Sequence, residues 1–332
     1  MNVKINFPSK DCRVKMLRFG SRRYLTSFQK SDAKLQEFYK YHATNASLRP
    51  WIYRPRNANT LLAMDLKDPD SDAPLKPRSP VKPLSRQVLN TYIWSAQEAS
   101  QLLDLLHKWT SLTTRKLGIW SYFTADHVQN ILFASTFKLG KLSSFLKHLY
   151  LWRPRFEEAQ NAGIFDVEHF FNSVITCQLH RNNARNLCNA ETARSKLVMA
   201  WNQVAAKENK TGLTLHLVGA LSKQQGFDIN DLSFPGLAKV DVNLPVADVE
   251  SLKSGRLAAF LSQNRFHYVM AQTIMEFGDA PEPVRMFVAN YKAAANKLGR
   301  PDVYQEYRAN AKLLATEPKP PTTASPHPAA ES

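Results

Sequence analysis

Glycine, cysteine and long apolar runs are scarce in this chain of 332 residues, and each scarcity removes a class of function. Eleven glycines leave little material for loops that wrap phosphates with backbone amides. The single Gly-Lys pair, Gly140-Lys141, lacks the upstream glycine and the following hydroxyl residue of a GxxxxGK[ST] loop. GxGxxG, GxSxG and HExxH are also missing, so an enzyme is not expected. Three cysteines, Cys12, Cys177 and Cys188, cannot build a disulfide framework and suit a reducing compartment or matrix. Cys177-Gln178-Leu179-His180 with Cys188 is the one cluster of metal-ligating types, and it has no convincing fourth ligand, so neither metal nor another cofactor is expected. No apolar run approaches the roughly 18 to 20 residues needed to cross a bilayer, so no membrane span is expected.

Acid is scarce at one end. Residues 1–60 hold 13 Lys or Arg against Asp11, Asp32 and Glu37, which places +10 of the chain's formal +16 there and points to a polyanionic partner. From Met16 to Ser31 there is no acid, and Arg18, Arg22 and Arg23 alternate with Leu17, Phe19, Tyr24 and Leu25. That is the composition of a mitochondrial transit peptide, so residues 1–30 read as a cleavable leader, Met16 as a candidate start and the matrix as the destination. Residues 31–64 read as a basic and aromatic arm. In Arg49-Pro50-Trp51-Ile52-Tyr53-Arg54-Pro55-Arg56 the two prolines favour an extended run. Arg49, Arg54 and Arg56 can fork onto phosphates, and Trp51 and Tyr53 offer flat faces to unpaired bases. Residues 65–84, with prolines at 69, 74, 77, 80 and 83, read as a linker.

The body, residues 85–315, is patterned for helices. Ser95-Ala96-Gln97-Glu98 has the form of a capping box before an apolar helix through Leu102, Leu105, Leu106 and Trp109. One short pattern then occurs twice: Asp126-His127-Val128-Gln129-Asn130 and Glu168-His169-Phe170-Phe171-Asn172, about 42 residues apart. Val128, Ile131, Leu132, Ser135 and Leu139 share one helical face, and Gly140 breaks the helix before a second one through Phe145, Leu149 and Trp152. The second copy repeats the plan, with Phe170, Val174, Cys177 and Leu179, then Leu197 and Trp201. Further helices are expected over 213–221, from about 248 to 261, over 266–277 and 284–298, and from Pro301. Residues 316–332 carry five prolines and read as a disordered tail. The fold class is all-α: an irregular array of stacked helical hairpins behind an extended basic arm.

The unit from Asn130-Ile131-Leu132 through Phe137-Lys138-Leu139-Gly140-Lys141-Leu142 to Phe145-Leu146 resembles the helical hairpin of pentatricopeptide proteins, which bind RNA in mitochondria. At the level of the whole chain the leader, arm, helical body and loose tail resemble organelle-specific ribosomal proteins, those of the fungal small subunit in particular. That resemblance implies a structural subunit holding ribosomal RNA through Arg49, Trp51, Tyr53, Arg54 and Arg56, and through Arg153 and Arg155 at the hairpin exit, with other mitochondrial ribosomal proteins against the body. The alternative it leaves open is a pentatricopeptide-like factor that binds one mitochondrial mRNA through polar positions near Asn130 and Asn172.

Overall fold

The computed structural model describes residues 26–67, 72–113, 122–158, 167–185, 189–201, 210–228 and 240–316. Most of the leader, Cys12, Cys188 and the tail from 317 lie outside these residues. Among the described residues the regular structure is helical, the one strand-like contact being a bridge between Lys67 and Pro74. In chain order the helices are α1 Ser27–Ala43, α2 Arg49–Ile52, α3 Ala58–Ala63, α4 Arg86–Ser95, α5 Ala99–Thr113, α6 Ala125–Phe133, α7 Leu142–Glu158 and α8 Val167–Arg185. They continue with α9 Ala190–Trp201, α10 Leu213–Gln225, α11 Ser254–Gln263, α12 Arg265–Phe277, α13 Glu282–Lys297 and α14 Val303–Thr316. The all-α array of hairpins is thus as the periodicity indicates.

Local chemistry accounts for most boundaries. Thr26 and Gln29 close a reciprocal capping box at α1, the Gln29 amide donating to Thr26 Oγ1 at 3.2 Å and the Thr26 amide to Gln29 Oε1 at 2.9 Å. Ser95 does not cap α5. It lies in the last turn of α4 and bonds back to the Thr91 carbonyl, while Gln101 Oε1 accepts from the amides of Gln97 and Glu98. α6 passes into a π-helical turn, Ala134–Leu139, before Gly140 at φ 76° reverses the chain. Gly212, at φ 73°, lets residues 240–241 cross the start of α10 so closely that a Cβ there would stand 2.8 Å from two carbonyl oxygens. α14 starts at Val303, two residues after Pro301, because Asp302 caps it, accepting from the Tyr304 amide at 2.9 Å.

The segment expected to be extended is folded. α1 packs on α4 and α5, burying Leu35, Phe38 and Tyr39. Residues 49–63 coil into α2, a short 3₁₀ turn and α3, because Pro50 and Pro55 sit at the first positions of helical turns, where no amide donor is needed. The proline-rich run returns over them: the Leu75 amide donates to the Leu66 carbonyl at 2.7 Å, and the Arg78 amide to that of Ile52 at 2.7 Å. Ile52, Tyr53, Leu61 and Leu75 make a small separate core.

The body has two large cores that share one helix. On α8, Phe170 and Val174 enter a core built by α1, α4, α5, α6 and α7, whereas Phe171, Ile175 and Leu179 enter a second one with helices α9 to α14. Cys177 faces a third cluster with Phe133, Phe137 and Ala311. A helix with apolar stripes on several sides belongs in the interior. α14 packs on α8 and on the π-helical turn, so the last helix folds back across earlier hairpins, and the array is not a string of units touching only their neighbours.

Candidate interface with nucleic acid and protein

The 42-residue pattern reappears as hydrogen bonds between equivalent helices. The His127 ring accepts from the Thr124 amide at Nδ1, 3.0 Å, so its Nε2 carries the proton and donates to the Arg86 carbonyl, 41 positions earlier, at 3.1 Å. Burial holds its pKa below the usual histidine range, and that neutral form is the one these bonds require. His169, at the matching position, also reaches back to the preceding unit but in the opposite sense, its Nε2 accepting from Gln129 Nε2, 40 positions earlier, at 3.0 Å. Burial, and then His267, push His169 down to about 3. Asn130 Nδ2 donates to Asn90 Oδ1 at 2.9 Å, and Trp152 Nε1 to Thr110 Oγ1 at 2.7 Å, across 40 and 42 residues. The carboxylate of buried Glu168 accepts from the amides of Lys210 and Thr211, tying α8 to the turn before α10. The sequence shows two copies of the unit. These bonds extend its register to α4 and α10.

Stacking in that register leaves a groove of about 500 Å³ between α4, α6, α12 and α14, with α8 as its floor. Its polar groups are mainly amides and hydroxyls, including Gln87, Asn90, Asn130 and Asn310; its charged groups are one cation, Arg265, and one anion, Glu306. Trp94, 39% exposed, stands at one rim over Phe133, with ring centroids 5.5 Å apart, and Leu313, 58% exposed, stands at the other. Asn130 belongs to this groove; buried Asn172 does not line it.

The residues expected to grip RNA divide into exposed and engaged ones. Arg54 and Arg56 are exposed. Arg49 is engaged: its Nε and Nη2 donate to the carbonyls of Thr44 and His42 at 3.0 and 2.9 Å, and its guanidinium lies 4.9 Å from the Tyr41 ring centre. It closes the C-terminus of α1, where a cation meets the negative end of the helix. Tyr53 is buried, and its hydroxyl accepts from Arg78 Nη1 at 3.3 Å. Trp51 is partly covered against the small core. Arg153 and Arg155 fall within α7, and their side chains lie outside the described residues. Lys76, Arg78 and Lys82 are exposed cations in the run read as a linker. Their alternation with proline was the signal available for them.

Cys177 and His180 take separate partners. Cys177 Sγ lies 3.4 Å from the Tyr307 hydroxyl, and burial raises its thiol to about 11. His180 Nε2 lies 3.1 Å from Thr273 Oγ1, and burial, helped by Arg308, lowers it to about 3. The Tyr304 hydroxyl donates to Glu276, which also pairs with Arg308 at 3.1 Å. This network pins α14 to α8 and α12.

Residues 12–95 match the MRP13-like N-terminal domain, and residues 99–324 match the MRP13-like C-terminal domain. The break between them falls in the turn joining α4 and α5, whose buried Ile93 and Leu102 belong to one continuous core.

Proposed function

Since the chain belongs to the MRP13-like family of mitochondrial ribosomal proteins, we propose that it is a structural component of the small subunit, holding ribosomal RNA with its basic N-terminal unit and neighbouring proteins with its helical body. The observation that carries this reading is the match over nearly the whole chain, joined to the exposed cations of the folded N-terminal unit, Arg54, Arg56, Lys76, Arg78 and Lys82. The residues proposed to meet phosphate are the exposed Arg54 and Arg56, with Lys76, Arg78 and Lys82 on the run that returns to α2. Each cation that neutralises a phosphate releases condensed counterions, so attachment strengthens as salt falls. Arg49, Trp51 and Tyr53 serve this surface indirectly by shaping the folded unit that presents it. No bond is made or broken in this role.

Gradient sedimentation of mitochondrial ribosomes tests the proposal. The chain is expected to travel with the small subunit in high salt, and a variant with Arg54→Gln and Arg56→Gln to leave it at lower salt while keeping its melting temperature. Release of the unmodified chain at moderate salt, with one transcript retained, would instead establish a free mRNA-binding factor.

A further inference from the structure

The groove between α4, α6, α12 and α14 is not used by the basic unit, and its chemistry differs from that of the rest of the chain. We propose that it docks a short extended peptide segment of a neighbouring ribosomal protein, uncharged and carrying one apolar anchor side chain. The proposal rests on the reading that the helical body meets other proteins of the subunit, and it names the surface and the chemistry of the partner.

Three observations converge. The first is charge: in a molecule of formal charge +16, this groove of about 500 Å³ has, among the described residues, only Arg265 and Glu306 as charged lining, and these offset each other. A nucleic-acid backbone is held by repeated Lys and Arg contacts, and no such track exists here. Depletion of charge with enrichment of aromatic residues, Met and Arg is instead the composition at the centre of protein interfaces.

The second is hydrogen-bonding capacity. An extended peptide presents one N–H donor and one C=O acceptor per residue, and each needs a partner when covered. A side-chain amide supplies both from one planar group. The bond from Asn130 Nδ2 to Asn90 Oδ1 orients the two amides against each other. It leaves Asn90 Nδ2 as donor and Asn130 Oδ1 as acceptor, side by side and without another protein partner among the described residues.

The third is shape. Trp94 and Leu313 are exposed apolar side chains at opposite rims, with Phe133 and Met270 buried between them. An apolar side chain entering there covers both rims, and a half-exposed tryptophan over a packed ring is the kind of group that dominates binding energy at such sites.

The experiment places a photoreactive phenylalanine analogue at position 313 of the full chain in cells and irradiates intact small subunits. The expected product is a single crosslink to an uncharged stretch of one neighbouring protein, identified by mass spectrometry. Gln87→Trp, at an exposed position, is expected to reduce that product at least tenfold without changing the melting temperature. The double variant Asn90→Leu, Asn130→Leu is expected to do the same. A crosslink to RNA, or none to any macromolecule, from a chain that still sediments with the subunit overturns the groove proposal and leaves the ribosomal role standing. Absence of the chain from the subunit overturns both.

Discussion

The folded N-terminal unit around α2 and α3 and the body around α8 are both helical, yet they are held together on different scales. Among the described residues, four buried side chains, Ile52, Tyr53, Leu61 and Leu75, form the core of the first, supported by the bonds from Leu75 to Leu66 and from Arg78 to Ile52. Two extensive cores meet on α8 in the second, with aromatic stacks such as Phe38 on Trp109 at 5.4 Å and Tyr268 on Tyr291 at 4.0 Å. Apolar burial scales with the number of side chains removed from water, so the body folds on its own surplus and the basic unit has little to spare. The part proposed to carry the charge to RNA is therefore the part whose own stability is smallest, and contact with a polyanion would add to it by mass action.

The sharpest way to break the contrast is in the body. Trp109 is fully buried and touches Phe38, Tyr39 and Phe123, so Trp109→Ala is expected to cost about 3–5 kcal/mol in denaturant unfolding. A loss below about 1 kcal/mol would mean that the first core is not continuous. Ile52→Ala probes the other side. It is expected to destabilise residues 49–78 by roughly 2–4 kcal/mol, seen as faster amide hydrogen exchange there, while the main unfolding transition stays in place. A shift of the main transition would instead join the two regions into one cooperative unit.

A smaller effect concerns acid. His180 titrates near 3 in the fold because it is buried beside Arg308, and near 6.5 when unfolded. A folded-state pKa below the unfolded one means that the unfolded chain binds the extra proton. Stability should therefore be indifferent to His180 above pH 6.5 and fall by up to about 1.4 kcal/mol per pH unit between 6.5 and 3. His180→Phe is expected to flatten that slope in unfolding curves measured from pH 7 to pH 4.5. An unchanged slope would assign the acid sensitivity to other groups, His127 and His169 among them.

How legible these regions are in the sequence follows from what the local pattern can encode. The start of α10 at Leu213 and the break between α12 and α13 are set by neighbours in the chain, and the periodicity places both correctly. The histidines at matching positions of the two repeated motifs are visible as a pattern. Their bonds to Arg86 and Gln129 are not, because those partners lie about 40 residues away. The run from Arg49 to Arg56 shows the limit most clearly. Rings and guanidiniums at that spacing suit unpaired bases and a helix C-terminus equally well, and the choice was made by the α1 carbonyls and by Leu75, outside the run. The groove was invisible for the same reason: its walls come from helices more than 200 positions apart.

The return of α14 onto α8 and the π-helical turn makes the covering of the first hairpins a long-range event in folding. Phe133 and Phe137 of the first hairpins find their cover in Ala311 and Tyr307, far along the chain from them. Until α14 docks, the early hairpins stay partly uncovered, and during that interval their apolar surface is open to chaperones or to aggregation. A chain cut before Val303 would hold Phe133 and Phe137 in that uncovered state.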